Sequence, residues 1–97
     1  MNMQKLLQQA QQMQEKMQRE LGETFAEASV GGGLVTVRID GHKHLLSVKI
    51  DPEALDPEDP SMLEDLIVAA SNEANRKMDE QLRTKVGSMA GGLPGLF

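Results

Sequence analysis

The sequence predicts an α+β fold: an N-terminal helix, a three-stranded antiparallel sheet and a long C-terminal helix, in the order α-β-β-β-α. Three observations predict it. Apolar residues recur at spacings of three and four over residues 3–21, alternate with polar residues through 35–50, and return to spacings of three and four from Met62 to Val86.

In the first segment Met3, Leu6, Ala10, Met13 and Met17 form a seam that Leu7 and Leu21 widen. Gln, Lys, Arg and Glu between them are good helix formers, and no glycine or proline interrupts before Gly22, which reads as the C-cap. Such a rod reaches about as far as a small domain is wide, so it can project as well as pack. ETFAEASV is a weaker strand signal, followed by Gly31-Gly32-Gly33 and then by LVTVRID, where Val35, Val37 and Ile39 alternate with Thr36, Arg38 and Asp40. Asp40-Gly41 signals a turn, and HLLSVKI places His44, Leu46, Val48 and Ile50 on one face. Matching apolar to apolar pairs Ile39 with His44, Val37 with Leu46 and Val35 with Val48.

Asp51-Pro52 ends the sheet, and a short helical turn is expected at Pro52 to Leu55. Asp59 then serves as an N-cap with Pro60 at the first helical position, with Ser61 and Glu64 as an alternative capping box. The stripe Met62, Leu63, Leu66, Ile67, Ala70, Ala74, Met78, Leu82 and Val86 carries this helix to Gly87. Its first half is broadly apolar and expected to pack on the sheet. Its second half, NRKMDEQLRTKV, keeps only a thin seam and is expected to project. Residues 87–97, GSMAGGLPGLF, read as a flexible glycine-rich tail of a single domain that spans 1–97.

Composition narrows the function. The 97 residues include two phenylalanines, no tryptophan, no tyrosine and no cysteine, which argues against base stacking on aromatics, disulfides and thiolate metal sites. No apolar run approaches a membrane span, and the N-terminal glutamines leave no signal-peptide core, so the chain is expected in the cytoplasm. A chain this small, with helices whose stripes it cannot cover itself, is expected to oligomerise. The net charge of −5 is local: residues 51–65 carry seven carboxylates and no cation, and the remaining residues sum to +2.

Four kinds of chemistry have candidate residues in the sequence. A phosphate-binding glycine loop needs a helix directly behind it, and here a strand follows the triplet, so Gly31-Gly32-Gly33 is expected to be a connection between strands. His42 and His44 lack a third ligand and enclose Lys43, so no metal and no cofactor is expected. The acidic segment lacks the ligand series of a calcium loop, with Leu55 in the third slot counted from Asp51. No nucleophile, base and orienting group stand at a recognisable spacing, so neither an enzyme nor a small-molecule substrate is expected. What remains are two basic stripes, Lys5, Lys16 and Arg19 on the first helix and Arg76, Lys77, Arg83 and Lys85 on the second, interleaved with carboxylates as on an ordinary solvated face.

With SVGGGLVTVRIDG, HLLSVKIDPEAL, EDPSMLEDLIVAASNEANRK and the GGLPGLF tail in this order, the chain resembles the YbaB/EbfC family of bacterial nucleoid-associated proteins over nearly its whole length. The resemblance implies a tweezer-like homodimer whose projecting helices are prongs, and binding of double-stranded DNA with nucleoid organisation and gene regulation. It further implies that Met3, Leu6, Ala10, Met13 and Met17 join Met78, Leu82 and Val86 to brace each prong. The candidate DNA contacts are then Lys5, Lys16, Arg19, Arg76, Lys77, Arg83 and Lys85. The alternative is a dimeric protein adaptor that docks partners through its Met- and Gln-rich amphipathic helices.

Overall fold

A computed structural model describes residues 2–90 of the chain. The elements follow the expected order: α1 (Met3–Gly22), β1 (Phe25–Val30), β2 (Val35–Asp40), β3 (Leu45–Ile50), a single 3-10 turn (Pro52–Ala54) and α2 (Pro60–Ala90). Asn2 caps α1, its side-chain oxygen accepting from the Gln4 and Lys5 amides at 3.0 and 3.4 Å. The helix does not stop on a left-handed glycine. It takes in Gly22 and closes at Glu23, whose φ is −97° and whose amide donates to the Arg19 and Glu20 carbonyls.

The sheet is an antiparallel meander in the order β1-β2-β3. β1 pairs with β2 from Phe25 opposite Asp40 to Val30 opposite Val35. The connection is the glycine triplet, with φ of +65°, +70° and +97° at Gly31, Gly32 and Gly33, a region where side chains other than glycine's are strained. The triplet is a strand connection, as expected.

One face of the sheet is covered by α2. Ala26, Ala28, Val35, Val37 and Ile39 meet Ala70, Ala74 and Met78 in a single buried cluster, rimmed by Val30, Ile50, Leu63, Leu66, Ile67 and Leu82. Alanines on both sides bring the helix axis close to β1 and β2, and Met78 fills the irregular remainder. β3 lies outside this cover. Leu45, Leu46 and Val48 are 57, 47 and 38% exposed, so the strand that alternation reads as half buried is apolar but open.

The pairing of β3 also differs from the expected one. Val35 stands opposite Ile50, Val37 opposite Val48 and Ile39 opposite Leu45, with an irregularity between Arg38 and Ile39. The whole strand is displaced because the turn is longer than Asp40-Gly41 suggests. The Asp40 carboxylate accepts from the amides of His42 and His44, both at 2.9 Å, and Lys43 takes a positive φ of 65°. This side-chain-closed turn uses residues that the shorter hairpin would have paired, and Leu46 is the extra residue of the bulge.

α2 starts at Pro60, directly after Asp59, whose carboxylate accepts the Ser61 hydroxyl at 2.7 Å. The helix passes through Gly87 and ends at Ala90. A single glycine costs a helix about 1 kcal/mol and does not stop it, so residues 87–90, assigned to the tail from sequence, are helical. Residues 91–97 of that tail lie outside the described residues.

The direction of α2 fixes the shape. Its Leu66 lies over Gly31 at the β1–β2 end of the sheet, and its Asp79 pairs with Lys43 at the β2–β3 end. The remaining turns run on past that end. α1 joins the sheet at the same place, since the Gly41 amide donates to the Leu21 carbonyl at 2.8 Å. Both helices therefore extend beyond one end of the sheet, giving a body of 69 × 25 × 15 Å.

Candidate nucleic-acid interface

The projecting helices are rooted in the β2–β3 turn. A Cβ on Gly41 would stand 2.5 Å from the Leu21 carbonyl oxygen, so only glycine allows the helix end to sit this close. The His42 Nε2 donates to the Gln18 carbonyl at 3.0 Å, a second tie from the turn to α1. Asp40 holds the turn itself and is 7% exposed. Burial raises its pKa. The amides of His44 and His42, with the His44 imidazole 3.2 Å away, outweigh that and hold the carboxyl below its ordinary value. The two histidines are thus structural partners of Gln18 and Asp40.

On α1, Lys5, Lys16 and Arg19 are exposed. Among the described residues no carboxylate pairs with them, nor with Arg83 on α2. These four charges face solvent. Lys85 is loosely tied to Glu20 at 3.8 Å, which links the two helices near their base. Lys77 donates to the Glu27 carbonyl at 3.1 Å and is only partly exposed. Arg76 is clamped between Glu73 and Glu80, each at 2.6 Å. The hydrogen bonds and charge of Glu73, with the charge of Glu80, push the Arg76 guanidinium still further above its ordinary range. The same Arg76 hydrogen bonds hold Glu73 below its own, against the effect of burial.

The structure therefore places Lys5, Lys16, Arg19, Arg83 and Lys85 on the helices around and beyond the β2–β3 end, keeps Arg76 and Lys77 over the sheet, and sorts the seven by pairing. Lys5, Lys16, Arg19 and Arg83 carry uncompensated charge, while Arg76 is already neutralised by its neighbours on the helix. That pairing was readable: Glu73, Arg76 and Glu80 are spaced three and four apart.

The seam on α1 is not used within the chain. α2 packs closely against β1 and β2, whereas α1 buries no residue, and Met3, Leu6, Leu7, Met13 and Met17 are 45–70% exposed. The bracing of α1 against Met78 and Leu82 that the resemblance implies does not form inside one chain: Met78 is spent on the sheet. The Val86 side chain lies outside the described residues. Arg38 and Lys49 are cations outside the seven named from the sequence. They lie on the sheet face away from α2, with the Arg38 guanidinium 4.4 Å over the Phe25 ring. Their alternation with the buried Val35 and Val37 was the available signal.

Among the described residues no helix is long and apolar enough to cross a membrane. The fold and its cation-bearing helices define an α-β-β-β-α protein that presents two helices, rather than a cleft, beyond one end of a sheet. The sequence model of the YbaB/EbfC DNA-binding family matches residues 1–93, and the chain belongs to that family, which is a DNA-binding family and not one of enzymes. It is 44% identical to a nucleoid-associated protein of Chloroflexus aurantiacus over the full length of both chains. It is 48% identical to one of Alkaliphilus metalliredigens, covering 99% of this chain and 89% of that one. A nucleoid-associated protein of Lachnoclostridium phytofermentans is 52% identical, over 95% and 80% of the two chains. The fold is shared with the crystal structure of an uncharacterized Helicobacter pylori protein, at 23% identity and a TM-score of 0.66 over 87% of this chain and 98% of that one.

Proposed function

We propose that the protein binds double-stranded DNA as a cytoplasmic homodimer, gripping phosphates with the helices that extend beyond the sheet, and so organises the nucleoid and regulates gene expression. The observation that carries the reading is the separation of charge along the molecule. Uncompensated Lys5, Lys16, Arg19 and Arg83 lie on the helices that project past the β2–β3 turn, whereas the seven carboxylates of 51–65 follow β3 and begin α2 at the opposite end. The second end repels duplex DNA, while the first, where Glu15, Glu20, Asp79 and Glu80 lie among the cations, meets phosphate through the four cations that have no carboxylate partner among the described residues. Lys77 and Lys85 add to the contacts once their weak ties exchange for phosphate. Arg76 contributes least, because it must leave two carboxylates first.

Dimerisation is supported by the two apolar surfaces that the chain leaves open, the α1 seam and β3. A second chain that covers them turns single helices into braced prongs. The contacts proposed are to phosphate, which position a protein on the duplex without reading its sequence. A mobility-shift titration on random and genomic duplexes across a salt series tests the reading. Log K should fall linearly with log salt, by about 0.9 per phosphate contact. Binding that ignores ionic strength contradicts it.

The exposed Met and Leu seam of α1 also suits the second reading, an adaptor for a protein partner. Pulldown from nuclease-treated lysate separates the two, since only an adaptor keeps a partner held through the α1 seam when nucleic acid is gone.

A further inference from the structure

The end of the molecule away from the projecting helices carries an apolar crevice that DNA binding does not use. Leu55, Asp56, Pro57, Pro60 and Leu63 line a shallow, open depression of about 270 Å³. That is at or below the lower limit for small-molecule pockets, and it suits one aliphatic side chain better than a whole metabolite. Leu55 is 57% exposed at its mouth, beside the buried Ala54, so its side chain is free to be covered by a partner. The two prolines restrict the crevice wall, so little ordering is lost when something enters.

Its surroundings select the occupant. The crevice lies within the run 51–65, whose seven carboxylates have no cation among them in sequence, and none of the seven is in an ion pair among the described residues. Asp51 and Asp56 accept only local amides, from Glu53 and Glu58. A two-fold contact with a second copy at this place would set one acidic run against another, and nucleic acid would be repelled outright. We propose that this crevice docks a Lys/Arg-rich segment of a protein partner, which seats one aliphatic side chain between Leu55 and Leu63 and lays its cations on the 51–65 carboxylates. The protein then holds DNA at one end and a basic protein tail at the other. The two sites are far enough apart for both to be filled.

The test uses the full-length protein and fluorescence anisotropy with a labelled Lys/Arg-rich peptide carrying one central leucine, beside a control with glycine in its place. The leucine peptide should bind about tenfold or more tightly than the control, and Leu55→Ser and Leu63→Ser should each erase that difference. Asp56→Lys with Glu58→Lys should weaken both peptides. Leu55 is a surface residue, so L55S remains informative if L63S fails to fold, and DNA binding by L55S should match wild type. Equal binding of the two peptides, or none of either, overturns the proposal and leaves the carboxylates as a device that repels DNA. Loss of the dimer in L55S, read by sedimentation, also overturns it, by showing that the crevice is filled by a second copy.

Discussion

The two helices of this chain differ in what they do for it. α2 buries Ala70, Ala74 and Met78 completely against β1 and β2, while α1, with a more regular apolar seam, buries nothing. Hydrophobic periodicity says that a face will be covered, not by which molecule. The difference separates a body, whose core is built from the chain's own residues, from a projecting part whose apolar surface the chain leaves open.

The sharpest way to break this comparison is to shorten a methionine on each helix. Met78→Ala should cost about 2–5 kcal/mol in urea unfolding, because a fully buried side chain leaves a cavity. Met13→Ala, at a residue 62% exposed in the chain, should stay within about 0.5 kcal/mol for the monomeric body. A large cost for Met13→Ala that does not depend on protein concentration would mean that α1 is part of the body after all.

The root of α1 comes next in size. Gly41→Ala puts a Cβ 2.5 Å from the Leu21 carbonyl oxygen, and should destabilise by about 1–3 kcal/mol as the helix end is pushed off the turn. Faster amide exchange in Leu21, Gly22 and Glu23 than in β1 would locate the damage at the root. A change spread evenly over the sheet would not fit.

Changing the seam should alter assembly more than folding. Leu6→Glu with Met13→Glu should leave the circular dichroism of the sheet unchanged and convert a species of twice 10.6 kDa to one of 10.6 kDa in sedimentation. A wild-type chain that sediments only as the smaller species would remove the homodimer from the account.

The smallest effect concerns pH. Asp40 has a folded pKa held below its unfolded value. Its contribution to stability is therefore present above the ordinary carboxylate pKa of about 3.9 and is lost as pH falls through the folded value. Asp40→Asn should flatten that part of the acid limb in a pH series of thermal melts and leave the slope above it unchanged. An unchanged acid limb would show that the turn does not depend on this carboxylate's charge.

Much of this was legible in the residues. Alternation at Val35, Val37 and Ile39 and the stripe from Leu63 to Met78 record the core, because both elements bury those faces within the chain. α2 starts at Pro60, the position that the Asp59-Pro60 pair marks in the sequence. The pairing of β3 was not legible, because the turn is closed by the Asp40 side chain and Lys43 takes a positive φ, and neither is visible in a two-residue turn signal. Nor was the openness of β3, which depends on α2 lying over the other two strands. At the candidate site the positions of the cations followed from helical spacing. Which of them remain unpaired was set by contacts between elements, such as Lys85 with Glu20, and within α2 by Glu73 and Glu80 around Arg76.

The central claim is that the projecting helices hold DNA and the sheet does not. Its most direct test compares Lys5→Gln, Lys16→Gln, Arg19→Gln and Arg83→Gln combined with Arg38→Gln and Lys49→Gln combined, in DNA titrations over a salt series. The four changes on the helices should weaken binding by more than about tenfold and make the salt slope shallower by roughly 0.9 for each phosphate contact removed, whereas the two on the sheet should leave both nearly as in wild type. Full affinity and an unchanged slope in the helix variant, with loss in the sheet variant, would contradict the account and move the interface to the open face of the sheet.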